Sequence, residues 1–120
     1  MYGTSPQLLQ RMYVPASLQN RDEGFSFEVK NLIDSGSVSG ASRIAVDGEE
    51  RSLEGVTIQV GNKVRTLTEI TWASSLYVSY GDTATVYVPG PLDPGEHTID
   101  LRVNTAEIGA LTFSFTDTLS

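Results

Sequence analysis

The sequence contains no cysteine and a single histidine in 120 residues. The first absence excludes a disulfide framework, a thiolate metal site and a cysteine nucleophile together. The second excludes any metal site or proton relay that needs two imidazoles from one chain. Basic residues are scarce, with Lys and Arg totalling 8 against 15 for Asp and Glu, a net charge of -7. Nucleic-acid affinity rests on clustered cations, as does attraction to anionic lipid, so neither partner suits this chain. No apolar run approaches the length of a membrane-spanning helix. Met1 to Pro6 carry neither a basic stretch nor an apolar one, so no secretory leader is read there and a cytoplasmic location is expected. There is no GxSxG, no Gly-rich phosphate loop and no HExxH.

What is present is a globular composition, 39% hydrophobic and 19% charged. Such a chain supports one domain with one core, expected over 1–120 with residues 1–10 loosely ordered. Apolar residues recur with period two: Phe25, Phe27, Val29; Val56, Ile58, Val60; Ala84, Val86, Val88; Ile99, Leu101, Val103; Leu111, Phe113, Phe115. Successive strand side chains point to opposite faces, so each run gives a sheet one dry side and one wet side. Ile44 and Val46 predict a shorter strand, and Met12 with Val14 a possible first one. Asp47-Gly48 and Gly61-Asn62-Lys63 read as hairpins, Tyr80-Gly81-Asp82 as a break, and Pro89 to Gly95 as a proline-fixed connection. Leu67 to Ala73 could hold a helical turn, and Ser35 to Ser42 reads as a mobile loop or poorly packed strand entrance. The expected fold is all-β: a single antiparallel β-sandwich, immunoglobulin-like or jelly-roll-like, of about eight to ten short strands.

His97 is the natural candidate for a general base, since its side chain titrates near neutrality. It shares phase with Ile99 and no triad partner stands beside it, so a half-buried histidine at a strand entrance is the favoured reading. Asp47-Gly48-Glu49-Glu50 offers carboxylates but lacks the ligand spacing of a calcium loop, which makes it a solvated hairpin tip. No glycosidase-type carboxylate pair is marked out. The aromatics Trp72, Tyr77, Tyr80, Tyr87 and Tyr13 could stack on a sugar or anchor a partner. Tyr87 stands opposite in phase to Val86 and Val88, whereas Tyr80 shares phase with Val78. The candidates for a partner interface or a substrate mouth are therefore Trp72, Tyr77 and Tyr87.

The ordered segments Gly24-Phe25-Ser26-Phe27, Ile44-Ala45-Val46-Asp47-Gly48-Glu49-Glu50, Thr66-Leu67-Thr68-Glu69, Tyr80 to Val88 and Pro91-Leu92-Asp93-Pro94-Gly95-Glu96-His97 carry a resemblance. Together, over residues 12–115, they resemble the small β subunit of the bacterial C-glycoside deglycosidases. The resemblance implies a β-sandwich that packs against a sugar-isomerase-like TIM-barrel α subunit in a hetero-oligomer. In that family the α subunit supplies the base and a divalent metal such as manganese. The β subunit supplies no catalytic residue, no cofactor and no metal ligand. The implied reaction is a lyase step on a 3-oxo-C-glycoside, in which the ketone acidifies C2–H and the aglycone leaves by β-elimination. The alternative is a free-standing sandwich for adhesion or carbohydrate binding, without an enzymatic partner.

Overall fold

A computed structural model describes residues 10–119. It contains ten strands: β1 (Gln19–Arg21), β2 (Gly24–Lys30), β3 (Gly36–Val46), β4 (Glu49–Arg51), β5 (Thr57–Val60), β6 (Lys63–Thr66), β7 (Leu76–Val78), β8 (Thr83–Pro89), β9 (Gly95–Thr105) and β10 (Gly109–Leu119). One sheet runs β1-β2-β8-β5-β6 and the other β10-β9-β3-β4, with β7 also paired to β3. All pairings are antiparallel. This is the two-sheet antiparallel sandwich that the period-two pattern predicts. The expectation of a loosely ordered segment 1–10 falls on residues that, up to 9, lie outside the described ones; residue 10 is helical.

Register explains the core. On β2 and β8 the partners are Phe25–Val88, Phe27–Val86 and Val29–Ala84. On β9 and β10 they are Ile99–Phe115, Leu101–Phe113 and Val103–Leu111. Each pair puts two apolar side chains on the same inward face, and a slip of one residue would turn all of them to water. Phe25, Phe27, Ile44 and Ile99 are fully buried, each worth about 1.5–3 kcal/mol of transfer free energy. Phe27 packs against Phe115 across the sheets, ring centroids 5.0 Å apart.

Local chemistry sets the turns. Asp47 and Gly48 both have positive φ, 53° and 86°, as a primed two-residue hairpin requires. Asp22 and Glu23 turn β1 into β2 with φ of 48° and 61°, a conformation that side chains with a Cβ adopt at a cost.

Three sequence expectations change. Of the two readings of Ser35 to Ser42, the mobile loop falls and the strand entrance holds: residues 36–42 are the first, only partly buried portion of the eleven-residue strand β3, continuous with Ile44 and Val46. Within it Gly40 has φ of 149°, a backbone conformation that residues with a Cβ rarely adopt. Met12 to Val14 form no strand: residues 10–12 are helical, and Tyr13 makes an isolated bridge to Val29. The possible helix over Leu67 to Ala73 shrinks to a 3-10 turn, Leu67–Glu69.

The two ends of the sandwich differ. At the end holding Asp47 and the start of β9, polar side chains tie the strands together. The Arg51 guanidinium donates to the carbonyls of Pro89 and Gly90 and lies 5.6 Å over the ring of Phe25. Asn20 and Leu92 exchange two hydrogen bonds of 2.8 and 2.9 Å. At the other end, where β9 turns into β10, the inward rows finish in Val29, Val38, Val78 and Ala84, which are only partly buried.

Candidate functional site

The exposed large aromatics among the described residues belong to one stretch of chain, the segment 72–80. Trp72 is 86% exposed, Tyr77 56% and Tyr80 62%. The segment is held from beneath: Leu67 and Ile70 just before it are buried, and so is Leu76 within it. Arg65 donates to the Ser74 carbonyl at 3.0 Å and to its hydroxyl at 2.9 Å, and the Ser74 amide donates to the Thr71 carbonyl at 3.0 Å. β7 pairs with the start of β3, with Tyr77 opposite Ser37. The Tyr80 amide donates to the Ser35 hydroxyl at 2.9 Å. The bracing lowers the backbone ordering cost of covering this segment, which suits a binding anchor.

Trp72 and Tyr77 are thus brought onto one edge of the second sheet, and Tyr87 is not with them. Tyr87 lies on β8 in the first sheet, between Ser26 and Thr57. Its hydroxyl donates to the Asp22 carbonyl, and the Arg21 guanidinium sits 5.9 Å over its ring. It closes over Gly24, where a Cβ would come 2.6 Å from the phenol oxygen. Tyr87 therefore braces the β1–β2 hairpin. Sequence phase demoted Tyr80, yet β7 ends at Val78, so the alternation does not reach it and its ring faces water. Tyr13 is buried and stacked on Phe115 at 3.8 Å, its hydroxyl donating to Asp117 at 2.6 Å. Burial first, and then the Asp117 carboxylate, raise the Tyr13 phenol, while that same hydrogen bond lowers the Asp117 carboxyl.

His97 stands at the opposite end of the sandwich. Nδ1 is 2.7 Å from Asp47 Oδ2 and Nε2 is 2.7 Å from the Asp93 carbonyl oxygen. Both neighbours are acceptors, so the ring serves them best with a proton on each nitrogen. The Asp93 carbonyl first, then Asp47, raise the imidazole above its ordinary value. Asp47 also accepts the Thr98 amide at 2.8 Å; that bond first, then His97, lower its carboxyl. With an acceptor 2.7 Å from each nitrogen, neither ring nitrogen faces an open position for a metal or a substrate. His97 is a clasp between the β3–β4 hairpin and the loop before β9. Among the described residues no group of three or more His, Cys, Asp or Glu could hold a metal ion. No helix among them is long and apolar enough to cross a membrane.

The family profile of the hydroxymethylglutaryl-CoA reductase, N-terminal domain, matches residues 8–120. No curated protein matches the chain. Among solved structures, a family 123 glycoside hydrolase from Clostridium perfringens, studied for glycolipid glycan hydrolysis, aligns with a TM-score of 0.39 at 14% identity. The alignment covers 80% of this chain and 20% of the hydrolase, so the chain spans a fifth of that enzyme's length.

Proposed function

The chain belongs to the hydroxymethylglutaryl-CoA reductase N-terminal domain family, and from that premise we propose that it is an accessory β-sandwich which docks on a separate catalytic body. The observation that carries the reading is the braced, water-facing edge of Trp72 and Tyr77. Large exposed aromatics on a braced backbone are the residue types that anchor interfaces. The domain's work is mechanical: it completes the wall of a neighbouring active site and orders the loops around it, which lowers the cost of aligning substrate.

The catalytic body we propose is the TIM-barrel α subunit of a C-glycoside deglycosidase, on the strength of the ordered motifs from Gly24 to His97. There a base takes the C2 proton of the 3-oxo sugar to give the enolate; its electrons return to form the C1–C2 double bond as the C–C bond to the aglycone breaks, and the aglycone carbon leaves with that bonding pair and takes up a proton. A divalent metal on the barrel would stabilise the enolate oxygen. The sandwich contributes no group to these steps.

A second reading has its own support in the family match: the catalytic body is hydroxymethylglutaryl-CoA reductase itself. Sedimentation of the purified chain with each body separates the two. A stable complex with the barrel, weakened by Trp72→Ala, supports the first; a complex with the reductase alone supports the second. Association with neither, combined with binding to a glycan array, would replace both with a free-standing carbohydrate-binding module.

A further inference from the structure

Between the sheets, at the end opposite His97, lies a cavity of about 220 Å³. Its walls include Ile58, Val86, Leu101, Val103, Leu111 and Phe113 from both sheets. Leu76 and Val78, the inward neighbours of Tyr77, form part of the same wall. The inward rows that are sealed at Phe25 and Phe27 finish here in the partly buried Val29 and Ala84, so the cavity opens to solvent. An apolar space this large forfeits dispersion contacts that a guest would restore. A dry cavity of about 150 Å³ takes a benzene-sized guest, so this one has room for a ring with a short arm.

The mouth has a definite polarity. Asp34 and Glu107 both line it, and each has one oxygen committed locally: Asp34 Oδ1 accepts the Ser35 amide at 2.8 Å, and Glu107 Oε1 accepts the Ser37 amide at 2.9 Å. The other oxygen of each carboxylate has no hydrogen-bond partner among the described residues. Of the lining hydroxyls, Ser35 accepts the Tyr80 amide and Thr105 is engaged with Gly109 and Ile108, while the Ser37 hydroxyl, also on the lining, has no hydrogen-bond partner among the described residues. No Lys, Arg or His is among the described residues lining the cavity. Greasy walls set the body of the guest and two carboxylates set its head.

We propose that this cavity is a binding site for a small hydrophobic amine, its aromatic or short alkyl body between the sheets and its ammonium group at Asp34 and Glu107. A carboxylate of the same shape is repelled at the mouth, and a neutral alcohol gains only the apolar contacts. The cavity shares β7 with the docking edge through Leu76 and Val78, but the site needs no catalytic body.

Calorimetric titration of the full chain with benzylamine, benzyl alcohol and benzoate tests it. The expected result is one saturable site, benzylamine binding about fivefold tighter than the alcohol, with no saturation by benzoate. Ala84→Phe, which fills the cavity, should abolish binding of both benzylamine and the alcohol. The exposed pair Asp34→Asn with Glu107→Gln leaves the core untouched and should bring benzylamine down to the affinity of the alcohol. Equal responses to all three probes, no saturation by any, or benzylamine binding unchanged in the double variant would each overturn the proposal.

Discussion

His97 and Asp47, fifty positions apart in sequence, form a hydrogen bond of 2.7 Å, an ion pair when the imidazole is protonated, that fastens the β3–β4 hairpin to the start of β9. The imidazole side chain is 13% exposed and the carboxylate 49%, so the pair is held in geometry yet open to the buffer.

Its pH signature follows from the two shifts. The folded-state pKa of His97 is raised, so its contribution is complete below about 6.5, the unfolded value, and is lost as pH rises through the folded value. The folded-state pKa of Asp47 is lowered, so its contribution is complete above the ordinary carboxylate value and is lost as pH falls through the folded one. Thermal melts should therefore be highest at mildly acidic pH and decline into the alkaline range. In Asp47→Asn, which keeps an acceptor for Thr98 and tolerates positive φ, the alkaline decline should shrink. An undiminished decline would assign it to other groups.

The β1–β2 turn offers a stabilising change. Glu23 sits at φ 61°, where glycine carries no steric cost, and Asp-Gly is a preferred pair for this turn. Glu23→Gly should raise unfolding free energy by about 0.5–1 kcal/mol in urea titration. Only its carbonyl, which accepts the Gly90 amide at 3.0 Å, is needed there, and glycine keeps it.

Core truncations should grade along the sandwich. Phe27→Ala, in the sealed part, should cost about 3–5 kcal/mol, and Leu101→Ala about 2–5 kcal/mol. Val29→Ala, at the rim of the cavity, should cost less than either, because part of its surface is already wet. Because Val→Ala also deletes fewer carbons than Phe→Ala, a Val29 loss as large as that of Phe27 would contradict this grading.

The fold was legible because alternation is a local signal: Phe25, Phe27 and Val29 announce a strand by themselves. The stretch from Ser35 to Ser42 left a loop and a strand entrance both open because small polar residues signal flexibility in isolation; pairing with β7 and β9 makes residues 36–42 a strand. The site was legible in part. Trp72 and Tyr77 stand out by residue type, and their exposure agrees with a docking role. Tyr80 lies beyond the end of β7, so strand phase does not govern it. The engagement of Tyr87 with Asp22 and of His97 with Asp47 depends on pairings between distant strands, which no periodicity encodes.

Docking and folding should separate on mutation. Trp72→Ala and Tyr77→Ala remove side chains that water already surrounds, so melts should change little, while affinity for the catalytic body should fall by about 2 kcal/mol or more for a true anchor. Thr85→Ala, on the other sheet, should leave affinity unchanged. A large drop in melting temperature for Trp72→Ala would make that residue structural instead.

The most direct test is turnover of a 3-oxo-C-glycoside by the sugar-isomerase-like barrel, measured with and without an equimolar amount of this chain. The account predicts no turnover by the chain alone and a marked gain in the barrel's rate when the chain is added, a gain that Trp72→Ala reduces. Turnover by the chain alone, or a barrel rate indifferent to its presence, would contradict the accessory role.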